Sequence, residues 1–151
     1  MKISKIGKNY DQNMIDSFSS KLAKPYPGEI WYIKNEEITL DHERLIPIPN
    51  RACLILSSEN AIKECQSTVN IIPLSAKGSV DKFRFPVGAG IEDCIEKFEK
   101  KDESKALLHL YQAISRDHLD KRIARLELNT YLAVKYCLCV EVIGFENVSI
   151  S

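Results

Sequence analysis

The chain has 151 residues with 21 basic and 21 acidic side chains, a length that fits a single domain with a core of its own. A formal charge of zero excludes a global electrostatic case for binding nucleic acid or an anionic membrane, so any polyanion site has to be local. No basic-then-apolar leader opens the chain and no apolar run approaches the ~20 residues that span a bilayer, which points to a soluble, cytoplasmic protein without membrane association.

Residues 1–26 read as an extension. Its first ten residues carry Lys2, Lys5 and Lys8 with no clear period, as a mobile arm or an edge strand would. Asp11 is placed to cap a helix in which Met14, Ile15, Phe18 and Leu22 recur on one side, and Pro25 and Pro27 end it. The main domain spans residues 27–151. Gly28-Glu-Ile-Trp-Tyr-Ile33 is rich in β-branched and aromatic residues and reads as a strand. A long polar connection follows, from Lys34 to Asn50, and loops of that length in small domains are functional or disordered. It holds His42 and Glu43, candidates for contacting a ligand.

Two apolar strands come next, Cys53–Leu56 and Val69–Leu74, joined by a polar turn at Glu59-Asn60. Unbroken apolar runs of this length suit strands covered on both faces. The first follows a charge, Arg51, and the second ends on a hydroxyl, Ser75. If the two pair antiparallel, Arg51 and Ser75 meet at one edge of the sheet. Gly78 then breaks the chain, and Lys82-Phe-Arg-Phe-Pro-Val87 alternates like a half-exposed strand. Phe83, Phe85 and Val87 share one face of it, while Lys82 and Arg84 share the other, either as an anion-binding surface or as a solvated face.

Ile91 to Glu103 has helical spacing at Ile91, Ile95 and Phe98 and is expected to form a short helix. Ser104–Ser115 fits helix or strand equally, and the charged run Asp117–Leu126 is expected to be irregular. A closing helix begins near Asn129, with Leu128, Tyr131, Leu132, Lys135, Leu138 and Val142 on one face and Gly144 as its stop. Cys53, Cys65, Cys94, Cys137 and Cys139 form no Cys-x-x-Cys or Cys/His cluster, so they read as reduced packing residues, with no metal or other cofactor implied. Several strands with glycine and proline turns, followed by a helix, make a mainly β fold with helices, an α+β chain shaped as a small, strongly bent barrel.

Four blocks in this order, Gly28-Glu-Ile-Trp, Arg51-Ala-Cys-Leu-Ile-Leu-Ser, Val-Asn-Ile-Ile-Pro-Leu-Ser75 and Ser104-Lys-Ala-Leu-Leu-His-Leu-Tyr-Gln112, resemble the MazF/PemK toxins of type II toxin–antitoxin systems. The resemblance covers about Pro27 to the C-terminus. It implies an SH3-like bent barrel with a C-terminal helix, shared with the gyrase-poisoning CcdB-like toxins, and here preceded by the extra N-terminal helix. It also implies a homodimer held in check by a cognate antitoxin. The activity it implies is a metal-independent endoribonuclease that cuts single-stranded RNA by attack of the substrate's 2′-hydroxyl.

Under that resemblance Arg51 takes the place of the arginine that opens the second strand, where a phosphorane-like transition state needs a fixed cation with directed donors. Ser75 stands where the family has threonine, and Gln112 matches a glutamine late in the fifth-strand block. The first loop and the pair Arg51-Ala52 depart from the family pattern, which has Arg-Pro there. His109 and Tyr111 occupy positions that some members fill with an arginine and an acidic residue. An imidazole can move a proton near neutral pH, so His109 is a candidate general acid or base, and a packed core histidine is the other reading. The implied site therefore comprises Arg51, Ser75 and His109 for catalysis, and His42, Glu43, Gln112, Lys82 and Arg84 for substrate. The alternative function is a non-catalytic binding module on the same fold, either a degenerate toxin or a gyrase inhibitor.

Overall fold

The apolar run that ends on Ser75 forms the strand around which the sheet is assembled. The computed structural model describes residues 23–40, 50–65, 67–98 and 100–144. The helix expected after Asp11 and the loop residues His42 and Glu43 lie outside them. In chain order the described elements are β1 (Glu29–Lys34), β2 (Asn50–Ile55), helix α1 (Glu59–Glu64), β3 (Thr68–Ser75), β4 (Arg84–Pro86), β5 (Ile91–Glu92), β6 (Lys105–Leu107), β7 (Gln112–Ser115), β8 (Leu119–Leu126) and helix α2 (Leu128–Cys137). They build one antiparallel sheet in the order β4-β6-β3-β2-β1-β8-β5, with β7 also on β3.

β3 has two successive partners along one side. Its first half pairs with β7, from Thr68↔Ser115 to Ile71↔Gln112, and its last residues pair with β6 through Leu74↔Ala106 and Ser75↔Lys105. Along its other side runs β2, with Cys53↔Pro73, Leu54↔Ile72 and Ile55↔Ile71. Pro73 cannot donate to a ladder, and it falls between the end of β7 and the start of β6, where a missing donor costs least. The β2–β3 register, continued by two residues, sets Arg51 against Ser75.

Both faces of the central strands are buried, as the unbroken apolar runs lead one to expect. Leu54, Ile72 and Leu74 face one cluster with Ile30, Val87, Leu126 and Tyr131. Cys53, Ile55 and Ile71 face the other, with Ile33, Val69 and Ile114. The period of two divides a continuous apolar run between two cores. Each fully buried Ile or Leu side chain contributes roughly 1.5–3 kcal/mol relative to an exposed one.

Three segments differ from expectation. Asp117–Leu126 is no irregular turn, because Leu119–Leu126 is an eight-residue strand. Its register against β1 shifts twice, between Ile30 and Trp31 and between Tyr32 and Ile33, and these irregularities scramble the alternation that would mark it as a strand. Its charges are matched by acids: Arg122 reaches Glu29 at 2.9 Å, Arg125 reaches Asp93 at 2.7 Å, and Lys121 pairs with Glu96. Ile91–Glu103 is no helix either. Ile91 enters the two-residue strand β5 against Leu126, Ile95 is exposed, and among its described residues only Lys101–Glu103 makes a helical turn, of the 3-10 type.

The segment Ser104–Ser115, open between helix and strand, forms β6 and β7 separated by a 3-10 turn at Leu108–Leu110. In the connection expected as a plain turn, Glu59–Glu64 is helical and Ser58 caps it, its Oγ accepting from Ala61 N at 3.2 Å. The cysteines are all free, but only Cys53 is buried, with Cys137 half-buried and Cys65, Cys94 and Cys139 exposed. Burial pushes the Cys53 thiol well above its ordinary range, which keeps it inert.

The closing helix starts at Leu128, and Gly144 takes a left-handed φ of 79° past the final π-type turn Leu138–Val142. Its buried positions are Tyr131, Val134 and Leu138, while Leu128, Leu132 and Tyr136 face outward. A helix that is apolar on both sides does not reveal its inner face by spacing alone. Among the described residues no helix is long and apolar enough to cross a membrane.

Tyr131 anchors α2. Its hydroxyl donates to the Leu56 carbonyl at 3.2 Å, and burial pushes its phenol up from 10.0 to about 12. The folded state therefore favours the protonated phenol. That contribution is complete below the unfolded value of 10.0 and is lost as pH rises through about 12. Chemical denaturation across this alkaline window should show a steeper loss of stability for the native chain than for Tyr131→Phe.

Candidate active site

Antiparallel pairing of β2 and β3 brings the chain's two sequence-selected polar ends into one cleft. Tyr32, Asn50, Arg51, Ala52, Leu74, Ser75, Ala76, Lys97, Phe98 and Ser104 surround a volume of about 410 Å³. β1 supplies Tyr32 and β2 supplies Asn50 and Arg51. The end of β3 supplies Ser75, and the strand-free stretch after β5 supplies Lys97 and Phe98.

Arg51 is held by backbone and amide groups. Its Nε donates to Asn35 Oδ1 at 2.9 Å and its Nη1 donates to the Leu74 carbonyl at 2.9 Å. Asn35, in the 3-10 turn that ends β1, is buried. A guanidinium fixed through two of its nitrogens presents a directed fork of donors, which is the geometry that phosphate and carboxylate oxygens accept.

Ser75 is half-buried, and its Oγ accepts from Lys77 N at 3.1 Å. That bond orients the hydroxyl oxygen and leaves its own hydrogen to be donated. The next carbonyl, of Ala76, accepts from Lys105 Nζ at 3.0 Å, and the same ammonium donates to the Glu103 carbonyl at 2.8 Å. Lys105 is itself buried. The backbone on either side of Ser75 is thus fixed by a cation, Arg51 at Leu74 and Lys105 at Ala76.

The other sequence-selected residues among those described, His109, Lys82, Arg84 and Gln112, do not line this cleft. His109 lies in the turn between β6 and β7, with its ring 5.9 Å from Phe83. Lys82 places its ammonium 5.3 Å from the centre of the same Phe83 ring. Phe83 is in a turn rather than a strand: Asp81 Oδ1 accepts from the backbone N–H groups of Phe83 and Arg84. Arg84 opens β4 and pairs with Asp81 at 3.3 Å. Gln112 is committed to the chain itself, since its Oε1 accepts from Thr39 N at 2.8 Å while its Nε2 donates to the Thr39 and Leu110 carbonyls, both at 2.9 Å. It fastens the stretch that leads into residues 41–49, the segment carrying His42 and Glu43.

Sequence reasoning passed over Tyr32, Asn35, Lys97, Phe98, Ser104 and Lys105. Lys105 carries no visible signal, since it closes the charged stretch Lys100-Lys-Asp-Glu-Ser-Lys105 at the edge of the apolar run Ala106-Leu-Leu108. Lys97 and Phe98 were hidden by a spacing that resembles a helix. No group of three or more His, Cys, Asp or Glu side chains among the described residues is arranged to hold a metal ion.

Residues 26–142 match the family model described as PemK-like, MazF-like toxin of type II toxin–antitoxin system. The chain belongs to this family. No curated protein matches it in sequence. Among solved structures it is similar to a MazE–MazF crystal structure from Deinococcus radiodurans, at 11% identity and a TM-score of 0.57, over 81% of this chain and 97% of that one. An endoribonuclease from a mycobacterial species is similar at 13% identity and a TM-score of 0.56, over 82% and 95% of the two chains. The Mycobacterium tuberculosis toxin MazF-mt6 is similar at 16% identity and a TM-score of 0.53, over 73% and 91%. At such identities these likenesses establish the fold, a mostly antiparallel sheet with a C-terminal helix.

For a MazF-like toxin fold with an atypical first loop, the Gln112 clip is the described contact that fixes the loop's start. Gln112→Ala should lower unfolding free energy by about 1–3 kcal/mol, since three backbone bonds lose their partner, and urea denaturation would measure it.

Proposed function

We propose that this chain is the toxin of a type II toxin–antitoxin pair and acts as an endoribonuclease on single-stranded RNA. The observation that carries the reading is the convergence of Arg51 and Ser75 in one cleft, with each held in place through its own hydrogen bonds. The RNA supplies its own nucleophile. Its 2′-oxygen attacks the adjacent phosphorus as the bond to the 5′-oxygen breaks, which leaves a 2′,3′-cyclic phosphate and a free 5′-hydroxyl. The 2′-hydroxyl gives up one proton and the departing 5′-oxygen gains one.

The chain's task in this reaction is electrostatic and positional. Charge accumulates on the non-bridging oxygens as phosphorus becomes five-coordinate, and a preorganised guanidinium stabilises that state more than the ground state. The Ser75 hydroxyl donates to one of the same oxygens. Tyr32 and Phe98 offer aromatic faces on which the flanking bases can stack, the common mode of holding unpaired RNA. Lys97 adds a second cation to the cleft lining.

Two imidazoles compete for the proton-transfer role. His109 packs on Phe83 and is not in the cleft lining, and His42 lies eight residues before Asn50, a residue of the cleft wall, in sequence. We assign the role to His42 and packing to His109. His42→Gln should flatten the pH–rate profile near neutrality, whereas His109→Gln should keep the profile's shape while lowering the melting temperature.

The proposed assembly is a homodimer bound by a cognate antitoxin whose polar, acidic segment covers the RNA site. An exposed apolar stripe supports a second copy as partner: Leu128, Leu132 and Tyr136 follow at four-residue steps on α2, with relative exposures of 68%, 52% and 57%. A chain of zero net charge meets no overall repulsion from its own copy.

The decisive experiment is incubation of purified protein with single-stranded RNA in the presence of EDTA. Arg51→Ala should cut at least about 100-fold more slowly, by analogy with loss of one oxyanion donor. Arg51→Lys keeps a charge without the fork and should also lose most activity. Intact RNA after long incubation with the native chain, or cellular DNA breaks with RNA intact, would overturn the reading.

A further inference from the structure

We propose that Lys105 is a positioning residue of the cleft, a buried cation that fixes the Ser75–Ala76 backbone and supplies uncompensated positive charge beneath the bound phosphate. The inference rests on the reading of the cleft as a phosphodiester site.

β6 runs alongside the end of β3 with Lys105 opposite Ser75. The Lys105 residue is 8% exposed, and its ammonium donates to two carbonyls, Ala76 at 3.0 Å and Glu103 at 2.8 Å. Ala76 lies in the cleft wall, and Glu103 immediately precedes Ser104, which is also in it. One ammonium therefore ties together two stretches of wall that are distant in sequence, at Ala76 and at Glu103.

Two buried cations among the described residues, Lys105 and Arg116, are bonded to carbonyls and not to acids, and Lys105 is the one beside the cleft. Lys101, Lys121, Arg84, Arg122 and Arg125 each sit within ion-pair distance of an acid. Lys105 makes no ion pair with Asp or Glu among the described residues, although it is more buried than any of these. A buried charge without a counter-ion is costly, and carbonyl dipoles compensate it only in part. An anion entering the cleft would complete the compensation. The charge also adds to the field of Arg51.

A purely structural lysine would need its stem and its bonds to carbonyls, but not its charge. Lys105→Met keeps most of the stem and removes the charge, while Lys105→Gln keeps N–H donors without charge. Binding would be measured with inorganic phosphate and with a fully 2′-O-methylated single-stranded RNA, which has no free 2′-hydroxyl and cannot be cut. Folded Lys105→Met should bind the oligonucleotide about tenfold more weakly than the native chain, with a shallower dependence on salt. Lys105→Arg should restore most of the affinity. With cleavable RNA, Lys105→Met should lower kcat as well as raise KM, because Ser75 loses its fixed backbone.

If the native chain and Lys105→Met bind phosphate and oligonucleotide equally, with the same salt slope, the role assigned to Lys105 is overturned and the cleft reading stands. If the native chain binds neither probe, the cleft reading itself falls. Should Lys105→Met fail to fold, Lys105→Gln decides between the same outcomes.

Discussion

The geometry of the cleft depends on how the last turn of β3 is held. A strand that ends at a sheet edge frays unless its final carbonyls find donors. Here the Leu74 carbonyl takes Arg51 from β2 and the Ala76 carbonyl takes Lys105 from β6. The residue between them, Ser75, is left with little conformational freedom. Arg51 is in turn fixed by Asn35, from the turn that ends β1. Three strands and the turn after a fourth thus determine where one hydroxyl points. A site built on strand ends in this way is more rigid than one carried by loops, and rigidity is what electrostatic stabilisation of a transition state requires.

The central strands were legible in the sequence because their signals are local and mutually consistent. An unbroken apolar run bounded by Arg51 and another bounded by Ser75 can hardly be anything but strands buried on both faces, and the polar ends then meet if the strands pair antiparallel. β8 was illegible for the opposite reason. Two register shifts against Trp31 and Ile33 break the alternation, and Lys121, Arg122 and Arg125 look solvated until Glu96, Glu29 and Asp93 arrive from elsewhere in the fold. The same holds for the cleft wall. Lys97 and Phe98 reach it from a stretch with no regular structure, and nothing in their spacing could announce that.

Gln112 and His109 illustrate a different limit. Residue type and order select them as chemical candidates, and both are well suited to the roles that a family resemblance implies. Side-chain partners decide otherwise for Gln112, whose amide is spent on the backbone of Thr39 and Leu110. An amide has two donors and an acceptor, and once these are satisfied by main chain it gains little from turning to a ligand. His109 has its ring against Phe83 and is not among the residues lining the cleft. A motif position says which residue type is present, whereas the hydrogen-bond inventory says whether it has capacity left.

The zero net charge of the chain is compatible with a polyanion site once the charges are sorted by partner. The β8 cations are neutralised by nearby carboxylates at the surface, where such pairs contribute about 0–1 kcal/mol each and leave little field behind. Lys105 and Arg116 are buried and bonded to carbonyls instead, Arg116 through Ala23 and Ile62. Only the first of these lies against the cleft. Arg51 and Lys97 line the cleft and Lys105 lies buried beside it, while the β8 cations stand at carboxylates. Composition averages over these two populations, so it cannot register a concentrated positive site inside a neutral chain. Where each cation sits relative to the carboxylates, which composition does not record, decides the local field.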